Sequence, residues 1–268
     1  HQAFEPIFQQ RRPILEAAQD ILYLEQIRES NSPMVCLFSQ DERHYLRVYQ
    51  PQNLLLSDML PVIDDFGFRI VDQFADPVYL PTGTTYTIDS FRLAPLENVT
   101  SQDLQNYADK LCAGIEAVFE KKMTSDPMNR LLLLAGLPWE AIDMFRALHN
   151  YARQLTFPFS IKQTQSILAS SIKNVQLLWK FFQQKFDPSI QGEENSHRAA
   201  RIASWDEIRK LSTQAQDRVF RTYHNLIQST LRTNFYRKDR VEHYLSFKFD
   251  CAKVQNMPGT RMMVEVYV

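Results

Sequence analysis

The chain has 268 residues, 44% of them hydrophobic and 23% charged, a composition typical of folded globular proteins. Its formal net charge of −1 argues against nucleic-acid binding, and no apolar run approaches the roughly 20 residues of a membrane-spanning helix. Three widely spaced cysteines and an N-terminus without a signal-peptide pattern predict a cytoplasmic protein that has neither disulfides nor a zinc site.

The first part of the chain predicts a helix followed by a small α+β unit. Residues 14–28 predict a helix, because their apolar side chains recur at helical spacing: Ile14, Ala17, Ala18, Ile21, Leu24 and Ile27. A second helix is predicted at residues 55–66, with Leu56, Leu60 and Ile63 on one face. The predicted strands are residues 34–38, 44–49, 68–73 and 86–93.

These strands predict an antiparallel, ferredoxin-like sheet in the order 34–38, 44–49, 86–93, 68–73. The usual last strand of a βαββαβ unit is missing, and the additional strand at 34–38 would fill its place as a hairpin partner. Residues 76–85 contain two prolines and predict a loop. The apolar positions of the last strand change parity, which predicts a β-bulge near Asp89 and Ser90.

From Ser101 the apolar spacing becomes helical, and residues 204–237 predict one long amphipathic helix. Residues 244–250 and 262–268 alternate between apolar and polar side chains and predict a terminal β-hairpin. The chain starts without methionine and stops inside an apolar alternation, so we expect a fragment of a longer protein.

No catalytic, cofactor-binding or metal-binding residue is predicted. All 6 glycines are isolated, whereas a dinucleotide site needs a glycine cluster. His149 and His224 have no catalytic partner at helical spacing, which favours a packing role. Asn53, Ser57 and Asp58 mark a strand-to-helix turn whose backbone donors could bind a small effector, and simple capping by Asn53 or Ser57 is the alternative.

Several short motifs follow one another along the chain. Residues 56–71 read LSDMLPVIDDFGFRIV and residues 129–139 read NRLLLLAGLPW; residues 230–236 and 244–250 read TLRTNFY and YLSFKFD. In this order they resemble the LSDxLPxLExxGLRV, NRLVLxAGLxWR, TLRTNxY and YLSFKLD segments of the large bacterial NAD-specific glutamate dehydrogenases. Gly259-Thr260 stands where that family has Lys-Pro, a departure expected at the surface.

The resemblance implies an internal segment upstream of the catalytic core. Its parts would be an N-terminal helix (1–32), an ACT-like domain (33–96), a helical domain (97–240) and the first strands of the catalytic region (241–268). NAD would serve the parent enzyme and not this segment.

The implied partners are the catalytic half of the same polypeptide, further copies of the parent and an amino-acid effector, with no nucleic acid or membrane. A stand-alone ACT-like sensing or protein-interaction module is the alternative, and the apolar end at Val268 favours the fragment.

Overall fold

The computed structural model describes residues 14–40, 43–51, 54–79, 83–94, 99–190, 194–237, 244–257 and 263–268. The chain divides into two units, His1–Asn129 and Arg130–Val268. The first holds a four-stranded antiparallel sheet with helices, and the second holds helices and a small three-stranded antiparallel sheet. The predicted α+β class is therefore confirmed. Within the described residues, no helix has the length and apolar character needed to cross a membrane.

The first unit is a sheet with helices before, within and after its strands. Its elements are α1 (Ile14–Ser30), β1 (Met34–Gln40), β2 (Arg43–Gln50), α2 (Leu56–Asp65), β3 (Ile70–Tyr79), β4 (Thr85–Leu93) and α3 (Ser101–Phe119). The strand order is β1-β2-β4-β3, and each neighbouring pair is antiparallel. This is the predicted order, with β1 as the added hairpin partner at one edge.

Helices cover both faces of this sheet. Leu46 lies opposite Phe91 on one face and Tyr49 lies opposite Ile88 on the other, and all four side chains are at most 1% exposed. Helix α1 covers the face of Tyr49 and Ile88 through Leu24 and its neighbours. Helix α2 lies over the opposite face, where the amide of Gln50 contacts the sulfur of Met59 in this helix. Helix α3 packs on β1.

The predicted bulge near Asp89 and Ser90 is wrong. Both residues pair in continuous register with β2 and with β3, and both are buried. The apolar parity of β4 changes because this central strand is buried on both of its faces, so no inserted residue is needed. The register shift lies instead in β3, between Ile70 and Asp72.

The predicted loop at residues 76–85 is also partly wrong, because β3 continues to Tyr79. Pro77 lies inside the strand and pairs with Thr87 of β4. A proline has no N–H to donate, and β3 is an edge strand, so no further strand of this sheet requires that donor.

Two predicted inward faces need correction. In α2, Met59, Val62 and Ile63 are buried, whereas Leu56 and Leu60 are 41% and 36% exposed. Ile63 is buried as predicted, and the three buried positions form a complete i, i+3, i+4 set, which fits a helix face better than the predicted Leu56, Leu60 and Ile63. In α1, Leu24 and Ile27 are buried as predicted, together with Asp20, whereas Ile14 and Ile21 are exposed.

The second unit begins with a series of helices. They are α4 (Arg130–Ala135), α5 (Trp139–Gln154), α6 (Ile161–Ala169), α7 (Ile172–Phe186), α8 (Glu194–Ile208) and α9 (Gln214–Ser229). Its core is rich in aromatic side chains, with Phe145, Phe181, Phe182, Phe220 and Tyr223 at most 1% exposed. Burial of such rings stabilises the helix packing.

The single long helix predicted at residues 204–237 is wrong. The chain there forms the end of α8, then α9, and then the strand β5 (Thr230–Thr233). Helix α9 starts because Thr213 caps it, its side chain accepting a 3.2 Å hydrogen bond from the backbone N–H of Gln216. A cap satisfies backbone donors that would be orphaned at the new helix start.

The last strands form a three-stranded sheet and not a two-stranded hairpin. Strands β6 (Phe247–Asp250) and β7 (Val264–Tyr267) pair antiparallel as predicted, and β5 adds to the other side of β6. Phe247 and Phe249 in the central strand are fully buried, whereas Val266 and Val268 are 62% and 70% exposed.

Candidate functional site

The predicted effector turn lies at the start of α2. Asn53 is outside the described residues, and Ser57 and Asp58 are exposed in the first helical turn. The cap position is Leu55, which makes no side-chain capping hydrogen bond, and Ser57 Oγ donates instead to Asp58 Oδ1 at 3.4 Å. Ser57 therefore does not cap α2, and an effector role for Asn53, Ser57 and Asp58 stays a prediction.

A buried polar cluster lies beside this turn. Asp89 is 3% exposed and accepts hydrogen bonds from the amide groups of Gln50 and, at 2.6 Å, Gln73. The oxygen of the Gln50 amide accepts from the backbone N–H of Leu54 at 2.6 Å, which links Leu54 to the end of β2. Burial raises the pKa of Asp89, and the two amide donors oppose that rise.

A second buried cluster lies on the opposite face of the sheet. Asp20 of α1 is fully buried and accepts from Arg47 Nη1 at 2.7 Å and from the Tyr49 hydroxyl at 2.5 Å. Glu16 accepts from the same guanidinium at 3.3 Å. Burial, and next the charge of Asp20, raise the pKa of Tyr49, so the phenol stays protonated as the donor. This cluster fixes α1 on the sheet.

In the second unit, Lys185 of α7 hydrogen-bonds to the C-terminal end of α9. Its ammonium donates to the backbone carbonyls of Ile227, Gln228 and Thr230 at 2.8, 2.7 and 2.7 Å. Burial, together with the charge of Lys253, lowers the pKa of Lys185 to about 8. The amine is therefore still protonated at pH 7, when all three of its N–H donors are used. It satisfies carbonyls at the helix end and holds the start of β5.

Tyr151 of α5 contacts the other two strands of the small sheet. Its ring stacks on Phe249 of β6 with a centroid distance of 4.2 Å. Its hydroxyl donates to Glu265 Oε2 of β7 at 2.6 Å. Burial and then this hydrogen bond raise the pKa of Tyr151, so the phenol remains a donor.

Both histidines singled out in the sequence are buried among other side chains. His149 is 3% exposed and meets Phe157 edge-on at 5.8 Å. His224 is 3% exposed and lies 5.1 Å from the ring of Phe181 and 5.0 Å from that of Trp205. Its Nε2 lies 3.3 Å from the carbonyl oxygen of Arg201, so Nε2 carries the proton.

The imidazole of His224 is neutral at ordinary pH. Burial lowers its pKa to about 4, and the positive charges of Arg201 and Lys185 act in the same direction. Its geometry is that of a packed aromatic ring with one hydrogen bond, as the packing interpretation requires.

Sequence comparison places three consecutive segments in one family of multidomain enzymes. Residues 36–107 match the ACT3 domain of glutamate dehydrogenase, and residues 123–188 match its helical motif 3. Residues 203–268 match the catalytic domain of bacterial NAD-glutamate dehydrogenase. The segments follow each other in the order that the fold shows: sheet unit, helices, then α9 with the small sheet.

Curated relatives agree with these matches. The NAD-specific glutamate dehydrogenase of Pseudomonas aeruginosa is 26% identical over 94% of this chain, and that of Mycobacterium tuberculosis is 25% identical over 99%. The enzyme of Halomonas elongata is 28% identical over 80% of the chain. The chain spans only 16%, 17% and 13% of these three relatives, respectively. It belongs to the large bacterial NAD-specific glutamate dehydrogenases, of which it is a segment.

The catalytic-domain match begins at residue 203, inside α8, and so includes α9 as well as the small sheet. The four segments predicted from the sequence place a boundary at residues 240 and 241, and that division stays a prediction.

Proposed function

We propose that this chain is a non-catalytic regulatory and scaffold segment of an NAD-dependent glutamate dehydrogenase. The parent enzyme would convert L-glutamate, NAD and water into 2-oxoglutarate, NADH and ammonium. The partners of the segment would be the catalytic part of the same polypeptide and further copies of the parent. The turn near Ser57 and Asp58 would receive an amino-acid effector.

The contacts of Tyr151 carry the scaffold half of this proposal. Helices α5 and α7 lie within the helical-motif match, and the small sheet lies within the catalytic-domain match. Tyr151 contacts β6 and β7, while Lys185 holds the start of β5. Each strand of this sheet is thus attached to a helix of the preceding segment. Such attachments support a role in which the helices fix the position of the sheet.

The strand arrangement of the described residues supports the proposal that NAD binds elsewhere in the parent enzyme. A dinucleotide site of the usual kind needs parallel strands, a crossover helix and a glycine-rich turn against the pyrophosphate. All strand pairs in the described parts of both sheets are antiparallel. No step of hydride transfer is therefore assigned to these residues.

The purified chain, mixed with L-glutamate and NAD, tests the non-catalytic half. We expect no increase in NADH absorbance above the rate without protein. Turnover that survives repurification and scales with chain concentration would refute the proposal, because the active site would then lie within these residues.

The scaffold half is tested in the full-length enzyme with Tyr151→Leu. Loss of the ring stack and of the bond to Glu265 should lower glutamate turnover and speed amide hydrogen exchange in β6 and β7. Tyr244→Leu changes a tyrosine that is 64% exposed in the same unit, and it should leave both readouts unchanged. Wild-type turnover and exchange in the Tyr151 variant would contradict the scaffold role.

A further inference from the structure

A cleft of about 280 Å³ opens beside α8 and α9 in the second unit. Its lining includes Arg201 and Trp205 of α8, Arg221 and His224 of α9, and Gln255 from the segment after β6. This volume is close to the lower end of the range found for small-molecule sites. One lining residue, Gln228, also accepts a hydrogen bond from Lys185 through its backbone carbonyl.

The lining is cationic. Arg201 makes no ion pair among the described residues, and no Asp or Glu lines the cleft. Arg221 pairs with Asp217 through Nε at 2.5 Å, so its two terminal Nη groups are free of hydrogen bonds within the described part of the chain. The Arg221 guanidinium lies 4.7 Å from the Trp205 ring centre, which holds it in place.

The wall of the cleft is fixed in advance. Asn225 donates to the carbonyl of Lys253 at 2.9 Å and accepts from the backbone N–H of Gln255 at 2.9 Å. His224 commits Nε2 to the carbonyl of Arg201 and is neutral, so it adds no charge. A preformed wall lowers the entropy cost of binding.

We infer that this cleft binds a small organic dianion, whose anionic groups meet the guanidinium of Arg201 and the terminal Nη groups of Arg221. A guanidinium fork matches both carboxylate and phosphate oxygens, and no carboxylate among the described lining residues competes with a ligand for the charge of Arg201. The size of the cleft restricts the ligand to a few heavy atoms beyond those groups. This inference does not depend on the role proposed for the segment in the parent enzyme.

Isothermal titration calorimetry of the chain with succinate and, separately, with inorganic phosphate tests the inference. We expect saturable succinate binding that weakens at least about tenfold in Arg201→Gln, as the loss of a charge-assisted hydrogen bond requires. Arg198→Gln is the matched control, since Arg198 is an exposed arginine on the same helix that does not line the cleft. It should bind as the wild type does.

A second readout separates binding in the cleft from general charge effects. The charge of Arg201 contributes to the low pKa of His224, so a bound anion should raise the pKa that NMR titration reports for this imidazole. Phosphate binding with the same Arg201 dependence, without succinate binding, would identify the anionic group as a phosphate. The inference fails if neither anion binds saturably, or if Arg201→Gln and Arg198→Gln bind equally.

Discussion

Lowering the pH is expected to destabilise the second unit through the buried imidazole of His224. In the unfolded chain this histidine takes up a proton near pH 6.5, whereas in the fold its pKa is about 4. Between these values the unfolded state binds more protons, so the free energy of unfolding falls as the pH falls. The two pKa values differ by about 2.5, and at about 1.4 kcal/mol per pH unit the loss is about 3 kcal/mol at pH 4.

The substitution His224→Phe isolates this contribution. Phenylalanine keeps an aromatic ring against Phe181 and Trp205 but loses the hydrogen bond to Arg201, at a cost of about 1 kcal/mol at pH 7. Because phenylalanine cannot take up a proton, the free energy of unfolding of the variant does not fall with pH through this position. It should be less stable than the wild type at pH 7 and more stable by about 2 kcal/mol near pH 4.

Urea unfolding between pH 4 and pH 7.5, followed by tryptophan fluorescence, measures the free energy of unfolding of the wild type and the variant. Trp139, Trp179 and Trp205 are the 3 tryptophans of the sequence and lie in the second unit, so the signal reports on that unit. His197 also has a lowered pKa, but it is present in both proteins and cancels in the comparison. Parallel pH profiles for wild type and variant would refute the reasoning.

Two further predictions concern the buried hydrogen bonds of Lys185 and Asp20. Lys185→Met should lower the free energy of unfolding by about 2–3 kcal/mol in urea, because three carbonyls lose their donor, whereas Lys180→Met, at an exposed position of α7, should change it little. Asp20→Asn should cost about 3 kcal/mol by circular dichroism, because Arg47 loses its buried counter-charge. Glu25→Gln removes an exposed ion pair with Arg28 and should cost less than about 1 kcal/mol.

The sheet order could be predicted because local patterns determine it. Apolar side chains alternate in β2 and lie on both faces of β4, which is typical of central strands. The short connection before Arg43 allows β1 only a hairpin with β2. The packed face of α9 was likewise readable, since Val219, Tyr223 and Leu226 are all buried.

The break before α9 was missed although the sequence carries a signal for it. Ile208 and Leu211 keep helical spacing across the turn, which led to one long predicted helix. Thr213 and Gln216, however, have the S/T-x-x-E/Q spacing of a capping box, and Thr213 does cap the new helix. A capping residue inside an apolar stripe therefore marks the start of a new helix even where the apolar spacing continues.

The buried polar clusters could not be predicted in the same way. Asp20 meets residues 27 and 29 positions away, and Asp89 meets Gln50 at a separation of 39. Periodicity treats an acid in an apolar stripe as an interruption, so it gives no sign that Asp20 and Asp89 are buried. Only the tertiary fold shows that these carboxylates accept hydrogen bonds from distant side chains.

The buried hydrogen bonds of Tyr151 and Lys185 also explain how the helices of the second unit could fix the position of its small sheet. A buried donor or acceptor that loses its partner costs about 1–3 kcal/mol. A buried hydrogen bond therefore stabilises the arrangement that forms it over arrangements in which it is broken. If α5 moved relative to the sheet, the bond from Tyr151 to Glu265 would break unless β7 moved with it. If α7 moved, Lys185 would leave the end of α9 and the start of β5. A displacement of either helix is therefore expected to carry the sheet along, which is the physical content of a scaffold role.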